Sequence, residues 1–132
     1  RDRSVHRATR SRCLAVPGMT SSAQRKGSRA ELEAAHLLAE LTGWPVRRKL
    51  GAGRLDDTGD LDGIPNTTIQ VKNYADPLRA IREGLPALRT QQTNAASRYG
   101  ALLVRRRGGH WTAVMDIDQL ATLLTDANRQ DT

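Results

Sequence analysis

The chain has no phenylalanine, and its aromatic complement is two Trp and two Tyr in 132 residues. Proteins that bind single strands stack successive bases on exposed rings. This composition offers no such platform and suits recognition of backbone and shape better. Cysteine is as scarce: Cys13 stands alone, so there is no internal disulfide framework and no thiolate metal cluster, which fits a reducing compartment. Long apolar runs are missing too. Nothing approaches the roughly 18 to 20 residues that span a bilayer, and the basic N-terminal stretch lacks the apolar segment of a signal peptide. These absences lead to the expectation of a soluble, cytoplasmic protein without a membrane partner.

Basic charge is what the chain has in excess: 21 Lys and Arg against 14 Asp and Glu, a net +7. The surplus is local. Residues 1–29 hold eight Arg or Lys (Arg1, Arg3, Arg7, Arg10, Arg12, Arg25, Lys26 and Arg29) against Asp2, and the remainder is balanced. A neutral body with a basic arm fits an anionic partner such as nucleic acid, and fits equally a solvated tail. Residues 1–24 show neither a strand nor a helix period and are expected to be an unstructured arm. The well-patterned region follows soon after Met19, so translation is expected to start there. The length suits one domain plus such an arm.

From residue 28 the pattern becomes regular. Ala30, Ala34, Leu37, Leu38 and Leu41 fall on one stripe of a helix that Gly43 and Pro45 stop. Short strands are expected at 45–50, 60–64 and 67–72, with the loop GAGRLDDTG between the first two. Asp76 before Pro77 is a helix start, with Leu78, Ile81, Leu85 and Leu88 at helical spacing, although Gly84 and Pro86 argue for a kink or a break. Strands at 101–106 and 111–117 flank the Gly108-Gly109 turn, and Asp118 opens a last helix through Leu124. Mixed order of this kind predicts an α/β fold with a sheet covered by helices.

Chemistry concentrates in GDLDGIPNTTIQVKN, residues 59–73. Side chains alternate along a strand, so Asp60 and Asp62 are expected on one face, and Gln70 and Lys72 on one face of the next strand, with Ile69 and Val71 turned into a core. If the two strands pair, two carboxylates, an amide and an ammonium converge. Hard divalent cations take oxygen ligands, often only one or two carboxylates, and a nearby lysine can hold a phosphate as charge builds in a transition state. The same residues also make an ordinary polar hairpin with a Lys–Asp pair across it. Glu31 is ambiguous in the same way: Ser28-Arg29-Ala30-Glu31 reads as a capping box, Glu33 borders the same stripe, and periodicity does not choose between them. His36 reads as a surface or packing histidine.

The run RKGSRAELEAAHLLAELTGWPVRR, then a glycine-rich loop, GDLDG and IQVK, closely resembles the archaeal-type Holliday junction resolvases of the PD-(D/E)xK nuclease superfamily. The likeness covers about residues 25–74 in motif and the rest in element order, making 25–132 the expected nuclease domain. It implies a restriction-endonuclease-like α-β-β-β-α-β core and hydrolysis of DNA phosphodiesters with Mg²⁺ or Mn²⁺. It also implies a homodimer acting on four-way junctions. By position, Glu31 matches the helix glutamate, Asp60 the metal-binding aspartate and Lys72 the catalytic lysine. Gln70 falls where the family carries its second acid, so Asp62 or Glu31 would make up the missing charge. Expected DNA contacts are Arg25, Lys26 and Arg29 at the helix entry, then Arg47, Arg48 and Lys49, and Arg54 in the loop. Arg105, Arg106 and Arg107 read either as contacts or as a solvated edge that discourages strand pairing.

Overall fold

The computed structural model of the chain describes residues 21–50 and 56–129. Most of the expected basic arm, and Arg54 in the glycine-rich loop, lie outside the described residues.

Helix α1 runs Ser22–Thr42. Its N-cap is Ser21, whose hydroxyl accepts from the Gln24 amide at 3.1 Å while the Gln24 side chain accepts from the Ser21 amide at 2.9 Å. The capping box expected at Ser28–Glu31 is therefore displaced by about two turns, because Ser21-Ser22-Ala23-Gln24 offers the same chemistry earlier. Glu31 consequently lies inside the helix. Gly43, at φ 77°, closes the helix with its N–H on the Ala39 carbonyl. The buried face is Ala30, Ala34 and Ala35, with Leu38 and Ala39 beside it, whereas Leu41 is 74% exposed. Alanines let the helix backbone lie close to the sheet, and this draws the expected stripe round by one position.

Strands β1 (Arg47–Arg48) and β2 (Leu61–Asp62) form a short antiparallel ribbon, pairing Arg47 with Asp62 and Arg48 with Leu61. Strand β3 (Thr67–Lys72) pairs in parallel with β4 (Tyr99–Arg106), and β4 pairs antiparallel with β5 (His110–Val114) around Gly108-Gly109. The ribbon adjoins the free edge of β3, where the Asp60 amide donates to the Ile69 carbonyl at 2.7 Å.

Helix α2 (Pro77–Ala95) makes the crossover between the parallel strands. Asp76 caps it, accepting from the Leu78 amide at 3.0 Å, and Pro77 takes the first position. The helix runs unbroken through Gly84 and Pro86, against expectation. Pro86 and Arg82 are both exposed, on a side of the helix where water can reach a carbonyl that the proline leaves without a donor. Gly84 serves close packing: a Cβ there would sit 2.7 Å from Leu102 Cδ1. The buried face is Ala80, Gly84, Leu88 and Gln91, and Leu78 turns outward at 67% exposure. Helix α3 (Ile117–Arg129) buries no residue and is held by polar contacts, Arg98 to Asp126 at 2.6 Å, the Tyr99 hydroxyl to Asp126, and Gln92 to Gln119 at 2.9 Å.

Strand alternation divides the interior in two. Ile69, Val71 and Leu103 pack with α1, while Leu102 and Val104 pack with α2, so β4 is buried on both faces and reads as a continuous apolar run. The chain is a mixed α/β fold with a three-stranded mixed sheet flanked by helices. Among the described residues no helix is long and apolar enough to cross a membrane.

Candidate active site

Asp60 sits in the turn just before β2, against the edge of β3. Gly59 makes that approach possible: at φ 101° it adopts a backbone that side chains rarely take, and a Cβ there would come within 2.9 Å of the Ile69 carbonyl oxygen. The turn is clamped from two sides. Asp57 accepts from the Gly59 amide at 3.1 Å and from Gln91 Nε2 at 2.8 Å, and Asn94 Nδ2 donates to the Asp57 carbonyl. On the other side, Lys49 Nζ donates to both the carbonyl and the hydroxyl of Thr58, at 3.1 and 2.9 Å. So fixed, Asp60 Oδ2 accepts from the edge amide of Val71 at 2.8 Å.

That position is electrostatically costly. Burial pushes the Asp60 carboxyl up to about 6, with the charges of Glu31 and Asp57 adding to it and the Val71 N–H and the Lys72 ammonium opposing it. A half-buried carboxylate held this way favours either a proton or a cation.

Around Asp60 opens a cleft of about 480 Å³ at the C-terminal end of β3, the end at which ligands bind in parallel sheets. Glu31 enters it from α1, and Gln70 and Lys72 from β3. Gln70 is 7% exposed, and its Oε1 is buried without a hydrogen-bond partner. Such an orphaned acceptor is costly unless something donates to it or coordinates it. Glu31 Oε2 accepts from Arg48 Nε at 2.9 Å, and Arg48 also donates to the Ser28 hydroxyl. The acids of the cleft thus meet one neutral oxygen, and among the described residues no three His, Cys, Asp or Glu side chains cluster as a metal-ligand group.

The rest of the cleft is basic. Lys26, Lys72 and Arg79 line it together with Tyr74. Lys72 Nζ donates to the Tyr74 hydroxyl at 3.3 Å, and the Arg79 guanidinium lies 4.9 Å from the Tyr74 ring centroid. The cleft therefore offers oxygens to a cation and cations to a phosphate. A slightly larger notch of about 510 Å³ lies between α2 and α3, where Arg89 and Asp116 already pair at 2.5 Å. The smaller cleft differs in holding a buried amide oxygen, Gln70 Oε1, without a partner.

Of the residues singled out in the sequence, Glu31, Asp60, Gln70, Lys72 and Lys26 come together. Asp62 does not. It pairs with Lys49 at 3.5 Å on the β1–β2 ribbon, outside the cleft. Asp60 precedes β2 and does not share its alternation. Lys49 is engaged with Thr58 and Asp62, with a side chain only 11% exposed, and so positions the turn. Arg48 is engaged with Glu31, whereas Arg47 and Arg29 are exposed. Arg105 binds Glu33 at 3.1 Å, and Glu33 also accepts from Trp111 Nε1, so this pair joins α1 to the β4–β5 hairpin and Glu33 is not a site acid. Tyr74 and Arg79 were missed. Their signal was the continuation of the 70, 72, 74 alternation past the strand end, followed by a capped helix that turns Arg79 back.

No protein-family model matches the chain, and neither curated proteins nor solved structures give a match.

Proposed function

We propose that the chain is a Mg²⁺-dependent, structure-selective DNA endonuclease with a four-way junction as its leading substrate. In this reading it works as a homodimer, and its α/β fold is a variant of the restriction-endonuclease-like core. The observation that carries the reading is the unpartnered, buried Gln70 Oε1 in a cleft that Asp60 and Lys72 also line.

The donors fit a hard divalent cation. Asp60, Gln70 Oε1 and Glu31 are all oxygen ligands, two of them carboxylates, and Mg²⁺ or Mn²⁺ commonly keeps waters for the remaining positions. When bound, the ion supplies a Lewis acid and lowers the pKa of an attacking water. The chain's own residues do the rest. Lys72 holds a phosphate oxygen and offsets charge as the phosphorus becomes five-coordinate. Lys26 and Arg79 grip the backbone through phosphates, which sets orientation without reading sequence. Asp60 must lose its proton to serve as a ligand, so metal affinity falls as pH drops below about 6.

The test is a panel of four-way junction, flap, bubble and duplex DNA, each with Mg²⁺, Mn²⁺ or EDTA. Junction cleavage into nicked duplexes, abolished by Asp60→Ala and by Lys72→Ala, is the expected result, while preference for flap or duplex would point to a repair- or restriction-type nuclease. Tight binding with no cleavage under either cation sinks the proposal. A second reading, a DNA-binding module without chemistry, draws on the neutral amide at Gln70 and the hold of Arg48 on Glu31. It requires salt-sensitive binding that neither EDTA nor Asp60→Ala changes.

A further inference from the structure

We infer that Tyr74 is the positioning residue of the cleft: its hydroxyl holds the Lys72 ammonium and its ring seats the Arg79 guanidinium, so one side chain places both cations against the substrate's phosphates. The inference rests on the nuclease reading for its functional consequence, and on geometry for the coupling itself.

Lys72 Nζ is 3.3 Å from the Tyr74 hydroxyl and 5.2 Å from the ring centroid. The ammonium therefore meets the hydroxyl end of the side chain, leaving a ring face to Arg79 at 4.9 Å. Arg79 is also steadied by Glu83, whose Oε2 accepts from Arg79 Nε at 2.6 Å, a contact through one nitrogen of a guanidinium that carries five N–H donors. The placement follows from local sequence. Tyr74 continues the side of β3 that carries Gln70 and Lys72, and the Asp76 cap with Pro77 turns the chain so that Arg79, in the first turn of α2, falls back onto the ring.

A phenol suits the role better than an acid. Among the described residues Lys72 makes no ion pair, and position 70 on its own strand is an amide. A carboxylate partner would orient the ammonium and also neutralise it. The Tyr74 hydroxyl orients it as a neutral acceptor, so the full charge stays available to a phosphate.

Tyr74→Phe keeps the ring under Arg79 and removes the hydroxyl, whereas Tyr74→Leu removes both. On the four-way junction with Mg²⁺, Tyr74→Phe should lower kcat by roughly tenfold or more with KM within about twofold of wild type, the scale of one lost hydrogen bond to a charged group. Tyr74→Leu should show the same loss in kcat and, in addition, a several-fold rise in KM. Relaxation of the Lys72 ammonium ¹⁵N signal should report a more mobile side chain in both variants, and thermal melting confirms that both are folded. Wild-type kcat in Tyr74→Phe overturns the inference, since a merely structural ring survives that change, as does a KM in Tyr74→Leu no higher than in Tyr74→Phe, which would leave the ring without a hold on Arg79. If the wild-type protein cleaves nothing, the nuclease reading falls by itself. The Lys72 relaxation measurement then decides the coupling, and unchanged mobility in Tyr74→Phe refutes it.

Discussion

Replacing Asp60 by Asn should make the metal-free protein more stable at neutral pH while removing its response to divalent cations. In the folded chain burial holds the Asp60 carboxyl at about 6, against an unfolded value near 3.9. Below about pH 4 the group is protonated in both states and contributes nothing differential. As pH rises from 4 to 6 the unfolded chain loses its proton first, so stability declines, and above about 6 the ionised carboxylate costs the fold its full penalty. Two pKa units correspond to about 3 kcal/mol. An asparagine escapes that cost and still accepts from the Val71 amide through its carbonyl oxygen. Urea unfolding in EDTA at pH 8 should show Asp60→Asn gaining on the order of 2 to 3 kcal/mol, a rise in Tm of roughly 10 °C. The gain should shrink towards zero at pH 4. Millimolar Mg²⁺ should raise the wild-type Tm, because a ligand that binds only the folded state stabilises it, and should leave the variant unmoved. A variant that is destabilised at pH 8, or whose advantage does not change between pH 4 and 8, would refute the account of this carboxylate as a cation site kept at a cost.

Gln70→Glu adds a carboxylate beside Asp60 and Glu31. The metal-free protein should lose stability, while calorimetry should find Mg²⁺ bound about tenfold more tightly, ~1.4 kcal/mol, and an unchanged affinity would place Gln70 outside the ligand set. Gly84→Ala reverses the usual helix preference: its Cβ meets fully buried Leu102, so the change should cost about 1 to 3 kcal/mol in denaturant unfolding. Pairing it with Leu102→Ala should recover part of that cost, and strictly additive losses would show that the clash is absent. Arg47→Ala should weaken junction binding and lower its salt dependence with no change in fold, since Arg47 is exposed and among the described residues pairs only through its backbone; equal salt slopes would remove it from the proposed DNA contacts.

Where local pattern and tertiary packing agree, the sequence was readable. Strand β3 runs over its expected residues because Ile69 and Val71 alternate with Gln70 and Lys72, and the Asp76-Pro77 start and the Gly108-Gly109 turn act through their nearest neighbours. Long-range partners account for the rest. Two capping boxes, Ser21–Gln24 and Ser28–Glu31, compete to start α1, and the earlier one forms while Arg48, 17 residues along the chain, takes Glu31. Asp62 follows strand alternation only from Leu61 onward, so its expected partnership with Asp60 fails where the turn begins. Pro86 looked like a breaker because sequence does not say that its face is solvated. In the cleft, strand spacing suggested that Asp60, Gln70 and Lys72 converge while also fitting a plain polar hairpin, whereas Tyr74 required knowing how α2 folds back.

The placement of β4 has a consequence for synthesis. Glu31, Asp60, Gln70, Lys72 and Arg79 all precede residue 80, but the strand that both interior clusters share is Tyr99–Arg106. Every side chain of the cleft therefore leaves the ribosome before the strand on which the sheet is built. A chain stopped short of residue 106 would carry the whole chemical complement and lack the frame that brings it together, so translation must pass well beyond the last reactive residue before the cleft can exist.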